Sequence, residues 1–101
     1  MDSLEDTGIK SAVVEYIRAC ASRYGVQKVI LFGSRARGDH SPKSDIDLAV
    51  SGGDQVRFSL DVEENAPTLL EFDIVNLDGS VSEELRTLVA KDGRLLYEEI
   101  R

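Results

Sequence analysis

The sequence predicts a mixed α+β (α/β) fold in which about four short strands form one small mixed β-sheet with helices packed on it. Segments with helical apolar spacing alternate along the chain with short runs of β-forming residues. The chain has 101 residues, enough for one domain with one modest core. Its two prolines, Pro42 and Pro67, both fall between the periodic segments, where a breaker belongs. We therefore expect a single domain over residues 1–101.

The first half of the chain predicts a helix followed by two strands. Residues 8–24 carry apolar side chains at spacings of three and four, and Gly25 would end this helix. The apolar run 29–32 predicts a strand that is buried on both faces. Residues 34–44 are polar and basic, which predicts a connection with one helical turn. In residues 45–50 apolar and other side chains alternate, which predicts a half-buried strand.

The second half is less regular. Residues 54–65 alternate like a strand, but their length and acidic end fit a helix, which we predict after a Gly52-Gly53 loop. Residues 69–77 predict a third strand. A capping box of Ser80 and Glu83 would open a helix that faces the core through its leucines and valine and ends at Gly93, before a short strand over 95–97. These inward residues are Leu85, Leu88 and Val89.

The charge balance excludes some classes of function. The chain has 12 basic and 19 acidic residues and a net charge of −7, which argues against nucleic-acid binding but not against a nucleotide held through cations. Its one cysteine, Cys20, allows no internal disulfide and is expected to be a buried thiol. The acidic N-terminus does not resemble a signal peptide, and no apolar run reaches the ~18 residues of a membrane span. These features favour the cytoplasm.

Two carboxylates indicate a metal site. Asp45 and Asp47 lie two residues apart on a predicted strand, so both side chains project from one face. Carboxylates about 7 Å apart repel each other unless a cation lies between them. Mg²⁺ prefers a few carboxylate oxygens together with phosphate oxygens and water. The alternative is that both are solvent-facing strand residues, although Asp is depleted in strands.

A glycine-serine turn indicates phosphate binding. Gly33 and Ser34 directly follow the first predicted strand, and the next residues could start a helix. A tight turn there lets backbone N–H groups approach phosphate oxygens. Arg35 and Arg37 lie in the same loop, and their guanidinium groups suit phosphate recognition. Solvated surface charge is the alternative for both arginines.

The segment from Gly33 to Asp47 therefore predicts a metal-dependent site for a nucleoside triphosphate. It is not a P-loop. Gly33 and Gly38 have the required spacing, but Asp39 and His40 stand where Lys and Ser or Thr are needed. His40 is the only histidine, and we assign it no role because such residues more often lie on a loop surface.

The run Gly33 to Gly38, followed by Ser44 to Leu48, resembles the signature of the DNA polymerase beta-like nucleotidyltransferase superfamily: Gly-Ser, a short spacer, then Asp-x-Asp. The Ala-Arg-Gly insert and the chain length are similar to the minimal nucleotidyltransferase (MNT) branch, which often pairs with HEPN-domain proteins in toxin–antitoxin modules. The resemblance covers essentially the whole chain and implies the polymerase beta-like fold. Asp73 matches the family's third carboxylate, and Glu71 on the same face is its rival.

The resemblance also implies a role for each residue. Asp73 would orient or deprotonate an attacking hydroxyl while AMP is transferred from ATP. The nucleotide would be bound by the turn and its arginines, namely Gly33, Ser34, Arg35 and Arg37. Two Mg²⁺ ions would be bound by the carboxylates, which are also the catalytic residues, namely Asp45, Asp47 and Asp73.

The acceptor implied by the MNT resemblance is a tyrosine of a HEPN-domain protein encoded by a neighbouring gene, so that the chain would act as an antitoxin. Two alternatives stay open. One is a non-catalytic antitoxin that masks its partner by binding. The other is a small-molecule (aminoglycoside-type) nucleotidyltransferase, which we rank lower because the chain has no room for an acceptor-binding domain. A homo- or hetero-oligomer is compatible with the sequence.

Overall fold

The computed structural model describes residues 4–99, and in them one four-stranded sheet carries helices on its faces, which confirms the predicted fold class. The predicted domain ends, residues 1–3 and 100–101, lie outside the described residues. The elements in chain order are a 3-10 turn Glu5–Thr7, α1 Ser11–Arg23, β1 Lys28–Phe32, α2 Ser34–Arg37, β2 Ile46–Ser51, α3 Gln55–Asn65, β3 Phe72–Asn76, α4 Glu83–Asp92 and β4 Arg94–Glu98.

The strands lie in the order β3-β2-β1-β4. β1 is antiparallel to β2 and to β4, whereas β2 and β3 are parallel. The chain therefore leaves β1 at the same end of the sheet at which it enters β2 and β3. This end, which we call the site end, collects the segments that directly follow β1 and directly precede β2 and β3.

Both faces of the central strands are covered. On one face α1 and α3 pack over a cluster that includes Val29, Leu31 and Leu48. On the other face α4 covers Ala49 through Val89. The middle of β2, Leu48 to Val50, is therefore buried on both faces of the sheet, whereas the alternation predicted a half-buried strand. The core side of α1 includes the thiol of Cys20, which is free and buried as expected.

The start of α4 differs from the prediction. The hydroxyl of Ser82, not that of Ser80, caps the helix by accepting a hydrogen bond from the N–H of Leu85 at 3.1 Å. The predicted box of Ser80 and Glu83 is wrong because Glu83 is the first residue of the helix and Ser80 lies in the preceding loop. Gly93 follows the last helical residue, as predicted.

Two apolar side chains lie further out than the sequence pattern indicated. The third strand begins at Phe72 rather than at residue 69, so Leu69 lies in the loop before it, 103% exposed. Leu88 was expected to face the core but is 44% exposed, because α4 contacts the sheet mainly through Leu85 and Val89. Within residues 4–99, none of the helices has both the length and the apolar character needed to cross a bilayer.

A carboxylate joins α3 to α1 and stabilises residues 54–65 as a helix. Asp61 accepts hydrogen bonds from the hydroxyls of Tyr16 at 2.5 Å and Tyr24 at 2.6 Å. Asn65 and Arg23 also donate to it, at 3.0 and 3.1 Å. Hydrogen bonds from the tyrosines lower the pKa of Asp61 well below its ordinary value, and the same contact raises the pKa of Tyr16 to about 12. The sequence pattern did not reveal this network.

We expect Asp61→Ala to lower the melting temperature at neutral pH, because both tyrosine hydroxyls lose their acceptor. Folding lowers the pKa of Asp61, so its carboxylate contributes stability above the ordinary carboxyl value of 3.8 and loses it as pH falls below that value. The difference between wild type and variant should therefore shrink towards acid pH in circular dichroism melts. The exposed Glu64→Ala on the same helix is the control, and a difference that did not change with pH would contradict this account.

Candidate active site

The site end of the sheet brings the predicted turn and carboxylates together. Phe32, the last residue of β1, pairs with Asp47 in β2, and Asp47 in turn pairs with Asp73 in β3. Gly33 directly follows Phe32 and opens the turn. Asp45 lies one residue before β2 and is exposed. All of these residues therefore lie where β1 ends and where β2 and β3 begin.

Gly33 contacts the Asp47 carboxylate so closely that only a glycine fits. A Cβ built on Gly33 would overlap Oδ2 of Asp47, and the backbone of Gly33 has φ +78°, which side chains other than glycine rarely adopt. α2 starts at the next residue, Ser34, whose carbonyl accepts the N–H groups of Gly38 at 2.9 Å and Asp39 at 3.1 Å. The turn is thus fixed against the carboxylate and leads directly into a helix.

The carboxylates at the site end are close enough to affect one another. Burial raises the pKa of Asp47, and the negative charges of Asp73 and Asp45 raise it further. The positive charge of Arg37 acts in the opposite direction. Negative charge therefore accumulates at this end of the sheet beyond what one arginine compensates. A bound cation would relieve this repulsion.

The donor set fits Mg²⁺ that arrives with a triphosphate. Within residues 4–99, no three His, Cys, Asp or Glu side chains converge closely enough to hold a metal by themselves. Mg²⁺ does not need such a cage, since proteins usually bind it through one or two carboxylates while substrate phosphates and water complete the octahedron. Ligation of Mg²⁺ by Asp45, Asp47 and Asp73 together with phosphates therefore stays a prediction, and the residues present fit it.

Arg35 does not contact the site, contrary to the role proposed for it from the sequence. Its side chain is buried, with 1% exposure. The guanidinium donates to the carbonyls of Thr7 at 2.8 Å, Ser44 at 3.0 Å and Pro42 at 3.2 Å. All three guanidinium nitrogens are therefore engaged with backbone oxygens. Arg35 fastens the loop between α2 and β2 to the N-terminal turn, so its role is structural.

Arg37 is the arginine of α2 that lies near the carboxylates. Its side chain is 40% exposed, and it forms ion pairs with Asp39 at 3.2 Å and Asp92, the last residue of α4, at 3.8 Å. Its charge opposes the rise in the pKa of Asp47 that burial and the neighbouring carboxylates cause. A guanidinium in partly exposed ion pairs can exchange them for a phosphate at small cost. This arrangement is compatible with the phosphate contact predicted for Arg37.

Mutation can distinguish the structural role of Arg35 from the phosphate contact predicted for Arg37. We expect Arg35→Ala to destabilise the fold by about 3 kcal/mol, because three backbone carbonyls lose their donor in a buried setting. Arg37→Ala should stay within about 0.5 kcal/mol of wild type but raise the KM for ATP about tenfold. Urea unfolding and nucleotide-dependent kinetics measure both quantities. Equal destabilisation by the two substitutions would contradict the assignment.

The register of β2 and β3 favours Asp73 over Glu71 as the third carboxylate. Asp73 is paired directly with Asp47. Glu71 precedes β3, where its backbone carbonyl accepts the N–H of Ile46 at 2.9 Å. Asp92, by contrast, was not singled out in the sequence, because its approach to Arg37 depends on where α4 packs.

Comparison with known proteins assigns the family. A family model described as "Polymerase beta, Nucleotidyltransferase" matches residues 15–101. The chain belongs to this family of nucleotidyltransferases, which confirms the fold, the family and the enzyme class that the sequence predicted. A curated relative from Methanocaldococcus jannaschii is 34% identical over 99 residues, which cover 87% of this chain and 97% of the relative. That relative is described as a "Putative protein adenylyltransferase".

Solved structures agree on the fold. A toxin–antitoxin structure with AMP-PNP matches 85% of this chain and 73% of its own, with a TM-score of 0.69 and 24% identity. The complex of the tri-AMPylated HEPN toxin of Shewanella oneidensis with an MNT antitoxin matches 96% of this chain and 74% of its own, with a TM-score of 0.57 and 20% identity. At these identities the likeness establishes the fold alone.

Proposed function

We propose that this chain is a Mg²⁺-dependent nucleotidyltransferase that transfers AMP from ATP to a tyrosine hydroxyl of a HEPN-domain protein encoded by a neighbouring gene, and that it thereby acts as an antitoxin. The observation that carries the proposal is the pairing of Asp47 with Asp73 beside the Gly33 turn. The descriptions of the M. jannaschii relative and of the S. oneidensis complex support a protein acceptor. The AMP-PNP complex supports an adenine nucleotide as donor.

The proposal gives every residue of the candidate site a task. Gly33 and Ser34 bind the β- and γ-phosphates through the turn, and Arg37 adds positive charge on the same side. Asp45, Asp47 and Asp73 would be the ligands of two Mg²⁺ ions. When bound, Mg²⁺ lowers the pKa of the attacking hydroxyl and neutralises the charge that develops on pyrophosphate.

The transfer balances without any further reactant. The tyrosine oxygen attacks the α-phosphorus and forms a new P–O bond. The bond between the α-phosphorus and the bridging oxygen to the β-phosphate breaks, and that oxygen leaves with the electron pair as part of pyrophosphate. Asp73 orients the hydroxyl and accepts its proton, a role for which a carboxylate in hydrogen-bond reach of the hydroxyl is suited. The buried, free thiol of Cys20 is compatible with the reducing cytoplasm, where we place this reaction.

The position of the transferred label tests the proposal. The purified chain is incubated with Mg²⁺, the neighbouring gene's HEPN-domain protein, and ATP labelled at either the α- or the γ-phosphate. We expect label on the partner only from the α-labelled donor, and only with Mg²⁺ present. Inhibition of the partner without any transfer, surviving Asp45→Asn together with Asp47→Asn, would instead establish a non-catalytic antitoxin. Label on a soluble hydroxylated compound would indicate a small-molecule nucleotidyltransferase.

A further inference from the structure

α4 and two of the site carboxylates lie on the same side of the sheet. Side chains alternate along a strand, so Asp47 lies on the same face of β2 as Ala49. By the same rule, Asp73 lies on the face of β3 that carries Val75. Ala49 and Val75 both pack in the cluster that α4 covers through Val89. Both carboxylates therefore project on the side of the sheet that carries α4.

The C-terminal end of α4 lies at the site end of the sheet. α4 ends at Asp92, and β4 begins two residues later at Arg94, which pairs with Leu31 near the end of β1. The side chain of Asp92 is 19% exposed and forms an ion pair with Arg37. The charge of Arg37 in turn acts on the carboxyl group of Asp47. α4 thus places a further carboxylate beside the arginine that lies near the predicted metal ligands.

The position of Asp92 is unfavourable for a carboxylate that has no cationic partner. The C-terminal end of a helix carries partial negative charge, which favours basic side chains in the last turn and disfavours acidic ones. The chain has a net charge of −7, and Asp47 and Asp73 lie at the same end of the sheet. The ion pair with Arg37 is the contact that offsets this repulsion.

The guanidinium of Arg37 is held through two of its three nitrogens. Nε donates to Asp39 at 3.2 Å, and Nη1 lies 3.8 Å from the carboxylate of Asp92. Asp39 follows α2, whereas Asp92 belongs to α4, so the guanidinium is held from two sides. Within residues 4–99, Nη2 has no hydrogen-bond or ion-pair partner, so it can donate to a phosphate oxygen. A side chain that is ordered before its ligand arrives loses less entropy on binding than a free one.

We propose that Asp92 is a positioning residue for the nucleotide: it orders the guanidinium of Arg37 beside the Gly33 turn, so that Nη2 donates to a phosphate oxygen of the bound triphosphate. Arg37 lies one helical turn after Gly33, to whose carbonyl its N–H donates at 3.1 Å. Asp92 acts through Arg37 and does not touch the nucleotide itself. The inference rests on the proposed function and adds a residue of α4 to a site otherwise built from α2 and the strands.

Asp92→Asn tests this role, with Glu84→Gln as the matched control. Both substitutions replace a carboxylate of α4 by its amide, and Glu84 is exposed in the first turn, at the other end of the helix. The probe is ATP with Mg²⁺, with calorimetry for binding and α-labelled ATP for transfer to the neighbouring gene's HEPN-domain protein. We expect Asp92→Asn to weaken ATP binding and raise the KM for ATP about threefold to fivefold, the effect of a partly exposed ion pair, with kcat unchanged. Asp92→Glu should restore most of the affinity, and Glu84→Gln should match wild type.

Two further measurements distinguish positioning from a merely structural role of Asp92. In an Arg37→Ala background, Asp92→Asn should not weaken ATP binding further, because the guanidinium that Asp92 orders is absent. The melting temperature of Asp92→Asn should equal or exceed that of wild type, since the substitution removes a negative charge from the C-terminal end of α4. An equal loss of ATP affinity with and without Arg37, or a loss accompanied by a lower melting temperature, would overturn the positioning role.

The binding and transfer measurements can fail independently of each other. Unchanged or tighter ATP binding in Asp92→Asn would overturn the inference and leave the proposed reaction standing. If wild type binds ATP with Mg²⁺ but does not label the partner, and Asp92→Asn weakens that binding, Asp92 keeps its role and the proposed reaction fails. A wild-type chain that does not bind ATP with Mg²⁺ overturns both.

Discussion

Replacing Asp47 with Asn is expected to reduce nucleotidyl transfer by about 10³-fold or more, since the step would lose a proposed Mg²⁺ ligand and with it several kcal/mol of charge stabilisation. The same substitution should raise the melting temperature in metal-free buffer at neutral pH. Asp47 is half-buried and lies beside Asp73 and Asp45, so its charge destabilises the folded chain. Activity and stability should therefore change in opposite directions, as is common where a functional site stores repulsion.

The stability difference between Asp47→Asn and wild type should depend on pH. Folding raises the pKa of Asp47. The folded protein therefore binds this proton more tightly than the unfolded chain, and the wild type loses stability as pH rises from the ordinary carboxyl range through the raised pKa. Asp47→Asn should lack this loss. The exposed Glu64→Gln is the control for replacing a carboxylate by an amide. If Asp47→Asn melted below wild type in chelator-treated buffer, the repulsion account would fail.

Gly33→Ala should damage both stability and activity. A methyl group at this position would overlap the Asp47 carboxylate, and φ +78° is strained for alanine. We expect a loss of about 3 kcal/mol or more in the free energy of unfolding, from the backbone strain and the overlap together. Transfer should fall about 100-fold, because the carboxylate and the turn are displaced from each other. Chemical denaturation and steady-state kinetics measure the two effects.

Gly25→Ala distinguishes the cost of backbone strain from the cost of the overlap with a neighbouring side chain. Gly25 also has a positive φ, of +69°, but a Cβ there would meet nothing within 4 Å. Its substitution should cost only the backbone term, about 1 kcal/mol, and leave transfer intact. If Gly33→Ala cost no more than Gly25→Ala, the close contact between Gly33 and Asp47 would not determine the geometry of the site.

Much of the fold could be predicted because local patterns are strong in this chain. The unbroken apolar run of β1 and the alternation in β2 predicted both strands to within a residue. Helix ends were harder, since Ser80 and Ser82 are equally good capping residues and only the path of the loop between β3 and α4 selects Ser82. The half-buried face predicted for β2 was wrong because α4, which is distant in sequence, covers Ala49.

The candidate site, like the fold, could be predicted only in part from the sequence. The spacing of Asp45 and Asp47 and their relation to Gly33 could be derived from the sequence, whereas the pairing of Asp47 with Asp73 depends on sheet order. Arg35 and Arg37 are chemically identical, and the sequence reasoning gave both the same role. They are two residues apart in α2, however, so their side chains point to different sides of the helix. That spacing already indicated that only one of the two arginines could face a bound phosphate.

Intact-protein mass spectrometry of the partner tests most directly whether this site moves AMP onto a partner protein. The neighbouring gene's HEPN-domain protein is co-expressed with the wild-type chain or with the Asp45→Asn, Asp47→Asn double variant. We predict that the partner gains the mass of one or more adenylyl groups on a tyrosine peptide with wild type and gains none with the double variant. An unmodified partner whose toxicity is nevertheless suppressed by both chains would contradict the account.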